Sequence, residues 1–334
     1  MNTHQFAHRH SAIRRSRQAA LGLLLTSLLA SKLLVACSAT GSITTPIPSA
    51  SATAVATATP SPQPTAMPTP EPTAMPTPEP EPTAIPTPPN KVLTLYGLTS
   101  PNKLLRFNSN APSTTTLIDV TGLPAGQFLV GIDFRPSDNK LYGSTQGGRL
   151  VTIDTTTGAA TVVNAVAFSP ALSTPVLGFD FNPELDRIRI QGNTGQNLRL
   201  NPVTGNVAAS DTVLSYADGD LNAGATPGLA GSAYTHSGAE GDAIKLYAID
   251  QSRDILVQLN NANSGALTTL GALNVNTNEY TGFDIAPDGR AYAALLPSGS
   301  SSSALYSVDL TNGASTLIEN IGSGQKIFGL TIAP

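Results

Sequence analysis

Past residue 36 the chain contains one histidine, His236, and one cysteine, Cys37. A Cys–His catalytic pair, a His-x-x-x-His metal site and a multi-histidine zinc site are therefore excluded within one chain. No Gly-x-Ser-x-Gly elbow and no Walker-type phosphate loop occurs. A Ser–His–Asp triad would have to use His236, whose setting, Thr235-His236-Ser237-Gly238, reads as an exposed loop. The chemistry left to the sequence is that of carboxylates, amides and guanidinium groups.

Three sets of such residues stand out. The first is Asp133, Asp180 and Asp284, which hold the same place in Gly131-Ile132-Asp133-Phe134-Arg135-Pro136, Gly178-Phe179-Asp180-Phe181-Asn182-Pro183 and Gly282-Phe283-Asp284-Ile285-Ala286-Pro287. Converging on one point, their oxygens would suit a hard cation such as Ca²⁺. Facing neighbouring strands instead, each would bond nearby backbone or a Tyr hydroxyl. The second set is Asp186, Arg187, Arg189, Gln196, Asn197 and Arg199. It offers either a polar pocket for an anionic or sugar-like ligand or a structural network in which Arg189 caps carboxylates and Asn197 bonds loop backbone. The third is Asp218, Asp220 and Asn222 in Asp218-Gly219-Asp220-Leu221-Asn222-Ala223-Gly224. This resembles the start of a calcium loop, but its glycine comes one place late and Leu229 stands where such a loop has its twelfth-position Glu. For all three sets the plainer account is structural.

The elements that must position these residues come from a repeat. Glycines 131, 178, 231, 282 and 329 open related units at spacings of 47, 53, 51 and 47 residues. The unit at Gly231 has Ala233 in place of the aspartate, and the unit at Gly329 has Thr331. About ten residues later a second short strand follows, as in Leu141-Tyr142-Gly143, Ile188-Arg189-Ile190, Leu246-Tyr247-Ala248 and Ala291-Tyr292-Ala293; a fifth copy is Leu95-Tyr96-Gly97. A third strand alternates apolar and polar residues, as half-buried strands do. An Asx-to-Gly turn and a Thr-rich fourth strand complete four of the units. Arg189 takes the place of Tyr96, Tyr142, Tyr247 and Tyr292, and Asn197 that of Leu104, Leu150, Leu256 and Leu305.

Four short antiparallel strands repeated every 47–53 residues predict propeller blades. The first unit lacks its first strand and the chain ends on a spare one. An all-β propeller of five blades follows, closed by the C-terminal strand pairing into the first blade. The repeated Gly-h-Asp-Phe-x-Pro units, with the run Asp186-Arg187-Ile188-Arg189 and then Gly195-Gln196-Asn197-Leu198-Arg199-Leu200-Asn201-Pro202, resemble the domain-of-unknown-function family 4394 of bacterial secreted proteins. The resemblance spans essentially residues 92–334 and implies no particular activity.

Outside the repeats the chain divides cleanly. Arg9, Arg14, Arg15 and Arg17 precede the apolar run Leu21–Ala30, and Leu34-Val35-Ala36-Cys37 resembles a lipobox. Residues 1–36 thus read as a lipoprotein-type signal peptide, with Cys37 the lipidated residue. Residues 37–90 carry 15 of the 27 prolines, including Ala66-Met67-Pro68-Thr69-Pro70-Glu71-Pro72 and its copy Ala74-Met75-Pro76-Thr77-Pro78-Glu79-Pro80. That composition buries no core and reads as a disordered stalk. Residues 91–334 form the folded domain. Loss of the leader removes Arg9, Arg14, Arg15, Arg17 and Lys32, leaving 13 basic against 22 acidic residues and a net charge of −9. Nucleic acid is excluded as a partner, for want of cationic excess. The expectation is a monomer outside the cytoplasmic membrane, anchored on it by lipid, at a bacterial surface or in a periplasm. Its domain binds a glycan, peptide or protein and needs no cofactor, Ca²⁺ being the one its acidic sites would take. The competing expectation is a Ca-type metal-assisted hydrolase or lactonase with its site at the central channel.

Overall fold

Each repeat folds as a small meander because its apolar residues alternate along strands too short to bury a face alone. The computed structural model describes residues 91–236 and 243–334. The leader, Cys37 and the proline-rich segment lie outside the described residues. In the first blade β1 (Thr94–Thr99), β2 (Lys103–Asn108) and β3 (Ala111–Asp119) follow one another. The second comprises β4 (Leu129–Phe134), β5 (Leu141–Thr145), β6 (Leu150–Ile153) and β7 (Ala160–Val162). The third comprises β8 (Leu177–Asn182), β9 (Arg187–Gly192), β10 (Asn197–Leu200) and β11 (Val207–Ser210). A two-residue strand, β12 (Ser215–Tyr216), precedes β13 (Leu229–Tyr234), β14 (Leu246–Asp250), β15 (Ile255–Leu259) and β16 (Ala266–Ala272) of the fourth. The fifth holds β17 (Thr281–Ile285), β18 (Ala291–Leu295), β19 (Ala304–Val308) and β20 (Ser315–Asn320).

The last strand, β21 (Ile327–Ile332), runs antiparallel to β1, with Leu95 opposite Ile332 and Leu98 opposite Gly329. It is the innermost strand of the first blade, whose order is β21-β1-β2-β3. The inner strands β21, β4, β8, β13 and β17 contact one another in turn, β17 meeting β21, so the ring closes with five blades as the repeat predicts. One departure is β12, which adds a parallel fifth strand to the outer edge of blade four through Ser215–Ala266 and Tyr216–Leu267. The long connection before β13 lies along that edge because Leu214 and Tyr216 bury themselves there.

The repeated glycines are explained by how closely the inner strands approach. A Cβ on Gly131 would stand 2.5 Å from the Phe179 Cβ, and one on Gly282 would stand 2.7 Å from the backbone of Gly329. The core is distributed over the seams between blades. Four apolar clusters each draw on two adjacent blades: Tyr96 and Leu104 with Leu129 and Leu141, Tyr142 and Leu150 with Phe179 and Ile190, Tyr247 and Leu256 with Phe283 and Ile285, and Tyr292 and Leu305 with Leu95 and Ile332. Among the described residues the seam between blades three and four has no such shared cluster, and the apolar cluster there is drawn from blade four and the connection that joins its edge.

Candidate functional site at the acidic mouth of the channel

Asp133, Asp180 and Asp284 sit near the C-terminal ends of β4, β8 and β17, where these inner strands reach one end of the central channel. All three are buried, and each offers a carboxylate oxygen within 4.8 Å of the others'. Both sequence alternatives are therefore realised at once, since the carboxylates converge and also bond the neighbouring blade. Asp133 Oδ2 accepts the Phe181 N–H at 2.8 Å, across the second seam. Asp180 Oδ2 accepts the Tyr234 N–H at 2.8 Å, across the third. Asp284 Oδ2 accepts the Ile332 N–H at 2.6 Å, across the fifth. On the first blade Thr331 Oγ1 donates to Asp133 Oδ1 at 2.7 Å. Blade four breaks the pattern because Ala233 has nothing to donate or accept. There the Ile285 N–H goes to its own neighbour, Asp284 Oδ1, at 2.7 Å.

Three carboxylates this close and this dry resist being charged together. Burial pushes the Asp133 carboxyl up to about 6, against the pull of the Thr331 hydroxyl and the N–H groups of Phe181 and Phe134. Burial first, and then the charges of Asp133 and Asp284, hold Asp180 well above the usual carboxylate range. Asp284 is raised in the same way by burial and by Asp133. Among the described residues no Lys or Arg forms an ion pair with any of them. Protons or a cation must supply the missing positive charge. Ca²⁺ takes oxygens at roughly 2.3–2.6 Å, so two of its ligands lie up to about 5 Å apart. The spacing of the trio fits one such ion.

Above the carboxylates opens a pocket of about 170 Å³, walled by Arg135, Tyr234 and His236 and rimmed by Pro136, Pro287 and Pro334. Arg135 is held rigid there: its Nε and Nη2 reach Asp186 at 2.8 and 2.5 Å, and Nη1 reaches Asp138 at 3.0 Å. His236 is a correction to the sequence expectation. It is half-buried on the pocket wall rather than exposed, and its Nδ1 is buried without a partner among the described residues. Burial lowers its pKa, which favours the neutral imidazole. The residues just past each inner strand make the wall, so their offset from the repeated glycine was the signal that could have found Arg135 and His236.

The other sequence candidates are placed elsewhere, and none of them lines this pocket. Arg189 is the hub of the seam between blades three and four. It donates to Asp211 and Asn197 at 2.8 Å each, to Asn263 at 2.7 Å and to the Tyr234 hydroxyl at 3.0 Å. Asn197 gives its amide hydrogens to the carbonyls of Ala262 and Thr212, at 2.8 and 3.1 Å. Arg199 pairs with Asp211 at 2.7 Å. Asp186 belongs to the Arg135 pair, and Arg187 bonds its own turn through the Asp186 carbonyl. Gln196 ties down the preceding loop through Ser173 and Ala171. In the third set Asp220 spends both oxygens on Thr269, Asn222 bonds the same hydroxyl and Asp218 is exposed.

A five-bladed propeller with an acidic channel mouth is thus the class that fold and site define. Within it the chain belongs to the family described as Domain of unknown function (DUF4394), which it matches over residues 103–331. No curated protein matches it. Among solved structures it is similar to a protein of unknown function from Bacteroides thetaiotaomicron, with 14% identity, 73% of this chain and 67% of that one covered, and a TM-score of 0.44. It is also similar to a candidate 6-phosphogluconolactonase from Bacteroides uniformis, with 17% identity, coverages of 70% and 68%, and a TM-score of 0.34.

Proposed function

We propose that the chain is an extracytoplasmic binding module, tethered through a lipid on Cys37 and the proline-rich stalk, whose ligand enters at the acidic mouth. The convergence of Asp133, Asp180 and Asp284 at the base of an open pocket carries this reading. A Ca²⁺ ion held by three carboxylate oxygens has three or more of its six to eight positions left over. Those positions face the pocket, where the paired hydroxyls of a sugar would complete them. A glycan is accordingly the ligand class favoured here. The neutral imidazole of His236 supports a second reading, metal-assisted hydrolysis with His236 as the base.

Metal analysis of the purified full chain, before and after chelation, is the test, together with binding to a glycan array under both conditions. One Ca²⁺ per chain and chelator-sensitive glycan retention support the binding module. A metal-free chain with chelator-insensitive retention removes the cation from the account. Turnover of a lactone or ester that needs Ca²⁺ and disappears in His236→Ala would move the assignment to the hydrolase.

A further inference from the structure

The seam between blades three and four contains a second polar feature, at the opposite end of β8 from the acidic mouth. Gln191 is fully buried, yet among the described residues both its Nε2 and its Oε1 lack a partner. Ser232 is buried to within 2% and its Oγ likewise has none among the described residues. The pairing of inner and second strands puts Gln191 opposite Gly178, where Leu98 is opposite Gly329, Ser144 opposite Gly131, Ile249 opposite Gly231 and Ala294 opposite Gly282, so Gln191 is the one long polar side chain at this place. Ser232 follows its glycine where the apolar Ile132, Phe179, Phe283 and Leu330 follow theirs.

They also face one another. Paired residues on adjacent antiparallel strands project to the same side, so Gln191 leaves the sheet beside Gly178. The place a Gly178 Cβ would take is 2.2 Å from Ser232 Oγ, so the Ser232 side chain occupies the room left by the glycine and lies on the side of the sheet to which Gln191 projects. Gly178 and Ser232 both line an axial cavity of about 10 Å³, about the minimum that one water occupies. Buried polar atoms without protein partners are the usual lodging of internal water, which bonds two to four such groups.

We propose that this seam encloses ordered water bridging the Gln191 amide and the Ser232 hydroxyl, an internal hydration site reached from the axial channel. The water accepts from Gln191 Nε2 and completes Ser232 Oγ. It replaces the side-chain packing that closes the equivalent place in the other blades.

Two measurements test this on the full chain. Water-selective nuclear Overhauser spectra should show long-lived water next to the Gln191 side-chain amide protons, and a crystal structure should show density between Gln191 and Ser232. A dry seam in both overturns the proposal. In a double-mutant cycle of Gln191→Leu and Ser232→Ala, a shared water makes the two effects on the melting midpoint non-additive, the second change costing less once the first has emptied the site. Additive shifts, or a rise of about 2–4 °C for Gln191→Leu alone, show orphaned groups with no water between them.

Discussion

The seam between blades three and four is built differently from the other four. Those are closed by shared apolar clusters in which a Tyr and a Leu of one blade pack on its neighbour, as Tyr247 and Leu256 do on Phe283. At the third seam the Tyr has become Arg189 and the Leu has become Asn197, with Gln191 beside them. Burial of apolar area closes a seam without regard to direction. A network of guanidinium, amide and carboxylate does so only while every member is satisfied, and fails sharply when one is removed. One ring can thus be closed by both devices, provided the polar seam is completed by groups from outside the repeat. Here they are Asp211 and Asn263, which lie on the connections and not on the strands.

Among variants of the two kinds of seam, the largest effect belongs to ring closure. Deleting residues 327–334 removes the inner strand of blade one and opens two apolar seams together. The truncated chain is expected to lose its cooperative thermal transition, and an unchanged transition would contradict closure by β21. Next comes Arg189→Ala. It leaves the buried Asp211 carboxylate short of a partner and strips Asn197, Asn263 and Tyr234 of a donor, for a loss of about 3–5 kcal/mol by urea unfolding. Leu256→Ala in the fourth seam should cost about 2–5 kcal/mol by the same measurement. The two seams separate further in how they respond to conservative change. Arg189→Lys should recover little, because an ammonium cannot make the fork of bonds to Asp211, Asn197 and Asn263, whereas Leu256→Met should recover most of the loss.

The smallest of these effects is a pH dependence. Asp133, Asp180 and Asp284 have folded-state pKa values above their unfolded ones, with Asp133 at about 6. At these three carboxylates the metal-free folded chain therefore binds more protons than the unfolded one. Their contribution to stability is greatest below the unfolded carboxylate pKa, about 4, and declines as pH rises through 6 and beyond, while His236, whose pKa is lowered, works in the opposite sense. Denaturant midpoints of chelated His236→Ala protein should therefore fall between about pH 5 and 8. Asp180→Asn should flatten that slope and raise the midpoint at pH 8. It is the mildest change of the three, because only one oxygen of Asp180 is seen to accept a backbone N–H. Asp284 takes one on each oxygen, so an amide there would turn a donor onto a donor.

Much of the ring was legible in the chain. The spacing of Gly131, Gly178, Gly231, Gly282 and Gly329, and the missing first strand before Leu95, lead to five blades and to closure by the C-terminal strand pairing into the first blade; the register, Leu95 opposite Ile332, comes from the structure. The substitutions that set blade three apart, Arg189 and Asn197, were legible as departures from the repeat. Their partners were not, because Asp211, Ala262 and Asn263 lie on irregular connections with no periodicity to read. For the same reason β12 escapes the pattern, being two residues inside a long connection. The convergence of the aspartates was beyond the sequence because it depends on how tightly five inner strands approach, which the glycines permit but do not specify. The loop composition around His236 predicts exposure, and composition does not tell which connections fold over the channel mouth.

The measurement that bears most directly on the acidic mouth is calorimetric titration of Ca²⁺ into the chelated full chain, repeated on Asp180→Asn and Asp218→Asn. The account predicts one site in the unaltered chain, loss of binding by at least tenfold in Asp180→Asn and unchanged binding in Asp218→Asn. No heat of binding in the unaltered chain, or equal binding in Asp180→Asn, would contradict it and leave the three carboxylates as protonated staples between blades.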